Sequence, residues 1–386
     1  MNLARLNIPP TLVIGSGASR LVGQESARLG FKRPLVVTDP LLQKIGLAQR
    51  VLDDLASAGL RGELFAEVQP DPTLANVDAG LHLLRAANCD GIVAVGGGSS
   101  IDAGKAIAVM SRNPGRLADY MGYHKIPQPG VPLIAIPTTA GTGSEVTRAT
   151  VITDTERQVK MLIFDAHVVP AAALVDYELT LSMPAALTAS VGIDSLTHAI
   201  EAYVSRKANA VTDMVALEAA RLIACHIRTV FREPGHRPAR EAMMLGATLA
   251  GIAFSNSSVA LVHGMSRPIG AFFHVPHGLS NAMLLPAVTR FSISSATSRY
   301  ATIARQTSFA DSPDDFRACE QFVQALQELN RDLQVPSPRE YGIDAANYDQ
   351  LLSRMAGDAL ASGSPANNPR VPCAEEIVAL YRECFE

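Results

Sequence analysis

In the first half of the chain, short apolar runs rich in Val, Ile and Thr alternate with stretches of helical periodicity. Residues 11–14, 35–38, 62–67, 91–95, 133–136, 150–153, 160–164 and 173–176 carry the strand pattern. Helical patterns at 41–58, 74–87 and 101–110 separate several of them, a succession that predicts a parallel α/β sheet. After Met183 the strand rhythm stops, and helical patterns follow one another between Pro and Gly residues. Ser182 and Pro184 supply an N-cap and a first-turn signal. The pattern therefore divides the chain into an α/β domain at 1–183 and an all-helical domain at 184–386. Residues 362–372, rich in Pro, Asn and Ser, read as a loop before a final helix.

The segment 184–204 is apolar on most of its helical circumference, so the helix it forms should be buried on most sides. Asp194 and His198 interrupt it one turn apart and so point the same way. Each uncompensated polar group there would cost about 2–7 kcal/mol, so the pair asks for a partner. His263 and His277 lie further on, in a segment of apolar residues, Gly and Pro. One oxygen and three nitrogen donors suit a divalent first-row ion such as Fe2+ or Zn2+. Each histidine taken singly reads equally as a satisfied core residue; the four together point to a metal.

At 386 residues the chain exceeds the size at which one hydrophobic core keeps growing, which fits the two-domain division. A net charge of −4 and the lack of any basic run give no nucleic-acid footprint and no polybasic membrane patch. Small molecules are the expected partners. Five widely spaced cysteines without a C-x-x-C pair suggest free thiols in a reducing cytosol, and the first ten residues lack a signal-peptide apolar core. No Asp, Glu, Lys or Arg falls between Glu241 and Arg267, a length that could span a bilayer of about 30 Å. The polar run Ser255, Asn256, Ser257 and Ser258 sits in its middle, so a central helix of an all-helical domain is expected there rather than a membrane span.

The loop Gly96, Gly97, Gly98, Ser99 and Ser100 lies between a strand pattern and a helix pattern whose first turns hold Asp102 and Lys105. Glycines let a backbone approach a pyrophosphate, and the free N–H groups of a helix start attract its charge. A Walker loop would need glycine at Ser99 and Ser or Thr at Ala106, so nucleotide hydrolysis is disfavoured. A second pair, Gly15 and Gly17, meets Arg20 where a dinucleotide fingerprint wants a third glycine and reads as a turn. Asp39 ends an apolar strand, where its carboxylate could accept from an adenosine ribose and repel a 2′-phosphate, favouring NAD over NADP; a turn or cap residue is the alternative. The loop 137–147, dense in hydroxyls and glycines, suits a polar ligand better than a plain turn.

These motifs, with 192–201, 263–278 and Asn368-Pro-Arg370, resemble in order and over nearly the whole length the iron-containing (group III) alcohol dehydrogenases. The resemblance implies an N-terminal Rossmann-like α/β domain, an all-α C-terminal domain of the dehydroquinate-synthase-like architecture, and an active site in the cleft between them. It implies that Asp194, His198, His263 and His277 hold the metal. NAD(P) would lie over Gly97, Gly98 and Ser99, with Asp39, Thr138, Thr139, Thr142, Val151 and Lys160 as further contacts. A homodimer or larger assembly is common among such proteins. The expected activity is interconversion of a small alcohol and its aldehyde, with the cation lowering the pKa of the substrate hydroxyl and hydride passing to the nicotinamide.

One departure stands out. The family pattern carries a histidine, assigned to proton transfer, four residues beyond the first histidine of the 263–278 segment, and this chain has Arg267. Arginine cannot act as that acid or base. His274 and a water relay are the candidate substitutes, while Arg267 and Arg148 are candidates to bind an anionic substrate group; a structural ion pair is the plain alternative for the arginine. Rival readings on the same scaffold are a zinc-dependent polyol dehydrogenase, a dehydroquinate-synthase-like lyase and a metal-free maleylacetate-reductase-like enzyme. The lyase would want several cationic side chains in its cleft, where the histidine segment offers Arg267 alone, and the complete ligand set disfavours both the metal-free enzyme and a non-catalytic binding protein.

Overall fold

The computed structural model describes residues 4–157 and 159–386. It separates into two compact units, Leu6–Thr180 and Leu181–Glu386, the latter together with residues 4 and 5.

The first unit runs β1 (Thr11–Ile14), α1 (Val22–Arg28), β2 (Pro34–Val37), α2 (Pro40–Lys44), α3 (Leu47–Ser57), β3 (Glu63–Phe65), α4 (Leu74–Ala86), β4 (Gly91–Gly96), α5 (Gly98–Arg112), β5 (Gly122–Tyr123), β6 (Leu133–Pro137), β7 (Ala149–Asp154), β8 (Val159–Phe164) and β9 (Ala172–Val175). Six strands form one parallel sheet in the order β1-β9-β6-β4-β2-β3. Every residue of β2, β4, β6 and β9 is buried, as expected of a parallel sheet covered on both faces. One apolar cluster, including Ile92, Ala94, Ile101 and Ile107, packs α4 and α5 on one face; another, including Val36, Val51, Leu55 and Val93, packs α3 on the other.

Three features differ from the sequence pattern. The helix expected over 41–58 breaks into α2 and α3 at Gly46, whose φ of 83° is left-handed and cheap only for glycine. The strands β7 and β8 leave the main sheet to form an antiparallel hairpin, with β5 added parallel to β8. Residues 155–158 between them are too few for the crossover of roughly a dozen residues that a parallel pair needs. Finally, β5 is two residues long and leaves no periodicity to read.

The second unit is helical: α6 (Ala185–Val204), α7 (Ala210–Arg232), α8 (Arg237–Asn256), α9 (Leu261–Phe273), α10 (His277–Ser292), α11 (Thr297–Gln306), α12 (Asp315–Asp332), α13 (Ala345–Ala361) and α14 (Ala374–Phe385). The uninterrupted central helix expected across the uncharged segment is two helices, α8 and α9, bent by 103°. The polar run supplies the break. The Ser257 hydroxyl donates to the carbonyls of Ala253 and Ala202, and the Asn256 side-chain amide donates to Ile252. No single helix among the described residues is long and apolar enough to cross a membrane.

Helices α6 and α10 meet backbone to side chain at Gly278. A Cβ there would lie 2.4 Å from the Ser190 carbonyl oxygen and 2.8 Å from its hydroxyl. Because a backbone atom cannot step aside cheaply, Gly278→Ala is expected to lower unfolding stability by about 1–3 kcal/mol, read as a reduced denaturant midpoint. An unchanged midpoint would show that the two helices do not approach this closely.

Candidate active site

The helix α6 is buried along most of its length, and Asp194 and His198 project together from it, 2% and 5% exposed. His263 is the third residue of α9, and His277 opens α10. Asp194 Oδ1 lies 3.5 Å from His263 Nε2, 3.8 Å from His277 Nε2 and 4.0 Å from His198 Nε2. Donors that share a tetrahedral ion at about 2.1 Å stand roughly 3.4 Å apart, so Asp194, His263 and His277 are spaced to hold a divalent cation, and His198 would have to draw in to complete the set.

The electrostatics fit as well. Burial drives the His198 imidazole down to about 3 against the pull of Asp194, which keeps it neutral as a ligand must be. Burial alone would raise the Asp194 carboxyl, but the three facing imidazoles more than offset it and hold the group well below the usual carboxylate range. Burial also opposes a charge on His263, yet Glu201 and Asp194 on its two sides raise it to about 9, so in the ion-free site this imidazole holds a proton that a cation would have to displace from Nε2. The His198 ring has a buried Nδ1 without a hydrogen-bond partner and is held instead by stacking, with Phe254 at 4.2 Å and His263 at 4.4 Å. The cluster is open on one side only: the His277 side chain is 44% exposed, the other three ligands 6% or less.

In the α/β unit, Gly96 ends β4 with φ 150°, and Gly97 and Gly98 begin α5 with no side-chain cap. The first N–H groups of this 15-residue helix are therefore available to an anion. A Cβ on Gly98 would lie 2.9 Å from Thr142, one on Gly97 3.5 Å from Thr139, and the Thr138 N–H donates to Gly96 O at 3.0 Å. The glycine loop and the threonine loop thus form one surface, with Ser99 and Ser100 in the first turn of α5. Asp39 ends β2 and caps α2, accepting from the Leu42 N–H at 3.0 Å. Asp102 faces the fold: its two oxygens accept from the Ser144 hydroxyl at 2.6 Å and the Val151 N–H at 2.8 Å, tying α5 to β7. Lys160 pairs with Asp71 at 2.7 Å on the surface, and Arg148 stacks over Phe164 at 4.5 Å.

The chain matches the iron-containing alcohol dehydrogenase family over residues 9–177 and the C-terminal domain of that family over 188–385. It belongs to the iron-containing alcohol dehydrogenases. It is 38% identical over 380 residues to the NAD-dependent methanol dehydrogenase of Bacillus methanolicus, covering 98% of this chain and 99% of that one. It is 38% identical to the lactaldehyde reductase of Escherichia coli K12, with 99% of each covered. The crystal structure of a 1,3-propanediol oxidoreductase superposes with a TM-score of 0.96 at 37% identity, covering 100% of both chains.

Against that family, Arg267 follows His263 by one turn of α9, and its Nη1 donates to the Ser364 hydroxyl at 3.0 Å. The donors that all lie within 4.8 Å of one another are those of Asp194, His263 and His277; His198, 4.0 Å from Asp194 Oδ1, falls outside that set, and so does His274, which caps the end of α9 in a left-handed conformation, φ 55°. Two residues escape the sequence reading. The Asn281 side-chain Nδ2 donates to Asp194 Oδ1 at 2.7 Å and lies 3.2 and 3.3 Å from the Nε2 atoms of His263 and His277. Its signal is the i, i+4 spacing from His277, the same spacing that singles out Asp194 and His198. Glu201, one turn past His198, is the other.

Behind the glycine loop Lys105 is 1% exposed and donates to Ser144 Oγ, Thr147 O, Thr147 Oγ1 and Ala149 O at 2.8–3.1 Å. Burial lowers its pKa to about 8, opposed by Asp102 and Glu145, against 10.5 for a free lysine. Between those values the unfolded chain holds the proton and the folded chain does not, so unfolding free energy rises with pH there and is level below pH 8. The urea midpoint of the wild type relative to Lys105→Met is therefore expected to climb from about pH 8 to 10; a flat or falling difference would show that Lys105 keeps its proton.

Proposed function

We propose that this chain is a metal-dependent, NAD-linked oxidoreductase that interconverts a small primary alcohol and its aldehyde. The observation that carries the reading is a single buried carboxylate oxygen within 4.0 Å of three imidazole nitrogens. A divalent ion there, Fe2+ by family and Zn2+ as the alternative, supplies the Lewis acidity that lowers the pKa of an alcohol hydroxyl or polarises an aldehyde carbonyl. The protein's part is to hold Asp194 ionised and His198 neutral, to exclude water from three of the four donors, and to leave the His277 side accessible. The uncapped start of α5 and its glycines hold the NAD pyrophosphate, and Asp39 repels the extra phosphate of NADP. Arg267 has donors but no acceptor, so the proton relay falls to His274 or to water.

Arg267 fits better as an anchor for an anionic substituent, which makes a carboxylated or sulfonated alcohol the finer reading of the substrate. Location in a reducing cytosol, supported by the five free cysteines, and assembly into a homo-oligomer complete the proposal.

The test is NADH absorbance with a panel of short alcohols, using protein purified without chelator. Turnover that is lost on chelation and restored by Fe2+ or Zn2+ is expected; turnover indifferent to chelation would contradict the reading. In the same assay Arg267→Ala should raise KM far more for a carboxylated or sulfonated alcohol than for propanol. An equal rise for both would remove the anion-anchor role.

A further inference from the structure

Glu201 sits inside the helical unit with 3% of its surface exposed, and both of its oxygens are engaged by donors from one short stretch of chain. Oε2 accepts from the Ala260 N–H at 2.8 Å and from His263 Nδ1 at 2.6 Å; Oε1 accepts from the Val262 N–H at 2.6 Å. Ala260 and Val262 flank the start of α9, where helix N–H groups have no intrahelical acceptor. One carboxylate thus closes the bend between α8 and α9 and takes hold of the imidazole that α9 delivers. With Nδ1 committed as a donor to Oε2, Nε2 is the nitrogen left facing Asp194 Oδ1, at 3.5 Å, and the one free to give up its proton to an ion.

We propose that Glu201 is a positioning residue of the metal centre, fixing the tautomer and ring plane of His263 so that Nε2 rather than Nδ1 faces the ion. This inference rests on the metal-binding reading above and goes beyond it by assigning a role to a residue that touches neither ion nor substrate. A ligating imidazole whose second nitrogen donates to a carboxylate is oriented and made more basic, and loss of such a partner costs 10–100-fold in metal affinity. Glu201→Gln keeps the shape but replaces one acceptor oxygen with a donor NH2 in a ring of three donors. It therefore surrenders at least one of those hydrogen bonds.

The experiment measures the dissociation constant of Co2+ by chelator competition on the full-length protein, in wild type, E201Q, H263N and the double variant. A 10–100-fold weakening by E201Q is expected in the wild-type background, with an effect below about threefold in the H263N background, where no imidazole remains to be oriented. An E201Q protein that binds Co2+ as tightly as wild type, or one that loses the same factor in both backgrounds, would overturn the assignment; the latter result would leave Glu201 as a helix tie only. A wild type that binds no Co2+ would instead overturn the metal reading itself. A second readout does not depend on the folding of E201Q: the wild type should show a protected imidazole N–H proton resonance, absent in H263N, that survives Zn2+ binding. Its disappearance on adding Zn2+ would place the ion on Nδ1 and contradict the proposal.

Discussion

A carboxylate placed among packed helices is expensive unless opposite charge and hydrogen bonds surround it, and the helical unit is arranged around that requirement at Asp194. Three imidazoles and the Asn281 amide approach its Oδ1 from three helices, α6, α9 and α10. Each approach imposes its own packing demand. Helix α10 reaches α6 because residue 278 has no side chain, and α9 reaches it because the chain turns by 103° after Asn256. Local features that look unrelated in sequence, a glycine, a polar run and a carboxylate at 201, serve one convergence.

The α/β unit solves a different electrostatic problem. There the useful charge is the partial positive end of α5, left without a side-chain cap beside three glycines. Asp102 and Lys105, which lie close enough to that helix start to suggest ligand contacts, face inward and brace the loop at 137–147 against α5. Their role is to keep the glycine and threonine loops in register, which a pyrophosphate site needs as much as it needs the glycines.

How much of this was legible in the chain follows from the range of each interaction. Regular periodicity announced the eight longer strands and the change of rhythm after residue 183, since alternation and helical spacing are local. Asp194 and His198 stood out because polar residues one turn apart in an apolar helix have no local explanation. Glu201 carries the same signal one turn later, but an acidic residue near the end of a helical segment reads as solvated until α9 is seen to fold back over it. Asn281 was hidden for a similar reason: an amide carries no charge to flag its burial. The bend at 257–260 ran against the uncharged, apolar character of the segment, and its cause, the Ser257 hydroxyl bonded to carbonyls of two helices, is tertiary. Ordered motifs over the whole length carried the chemistry that spacing alone left open.

The most direct test of the central claim is anomalous diffraction from crystals of protein prepared without chelator, recorded across the iron and zinc absorption edges. A single peak at bonding distance, about 2.0–2.2 Å, from Asp194 Oδ1 and from the Nε2 atoms of His198, His263 and His277 is expected. A peak bonded to other side chains, or one that leaves His198 outside its coordination sphere, would contradict the account.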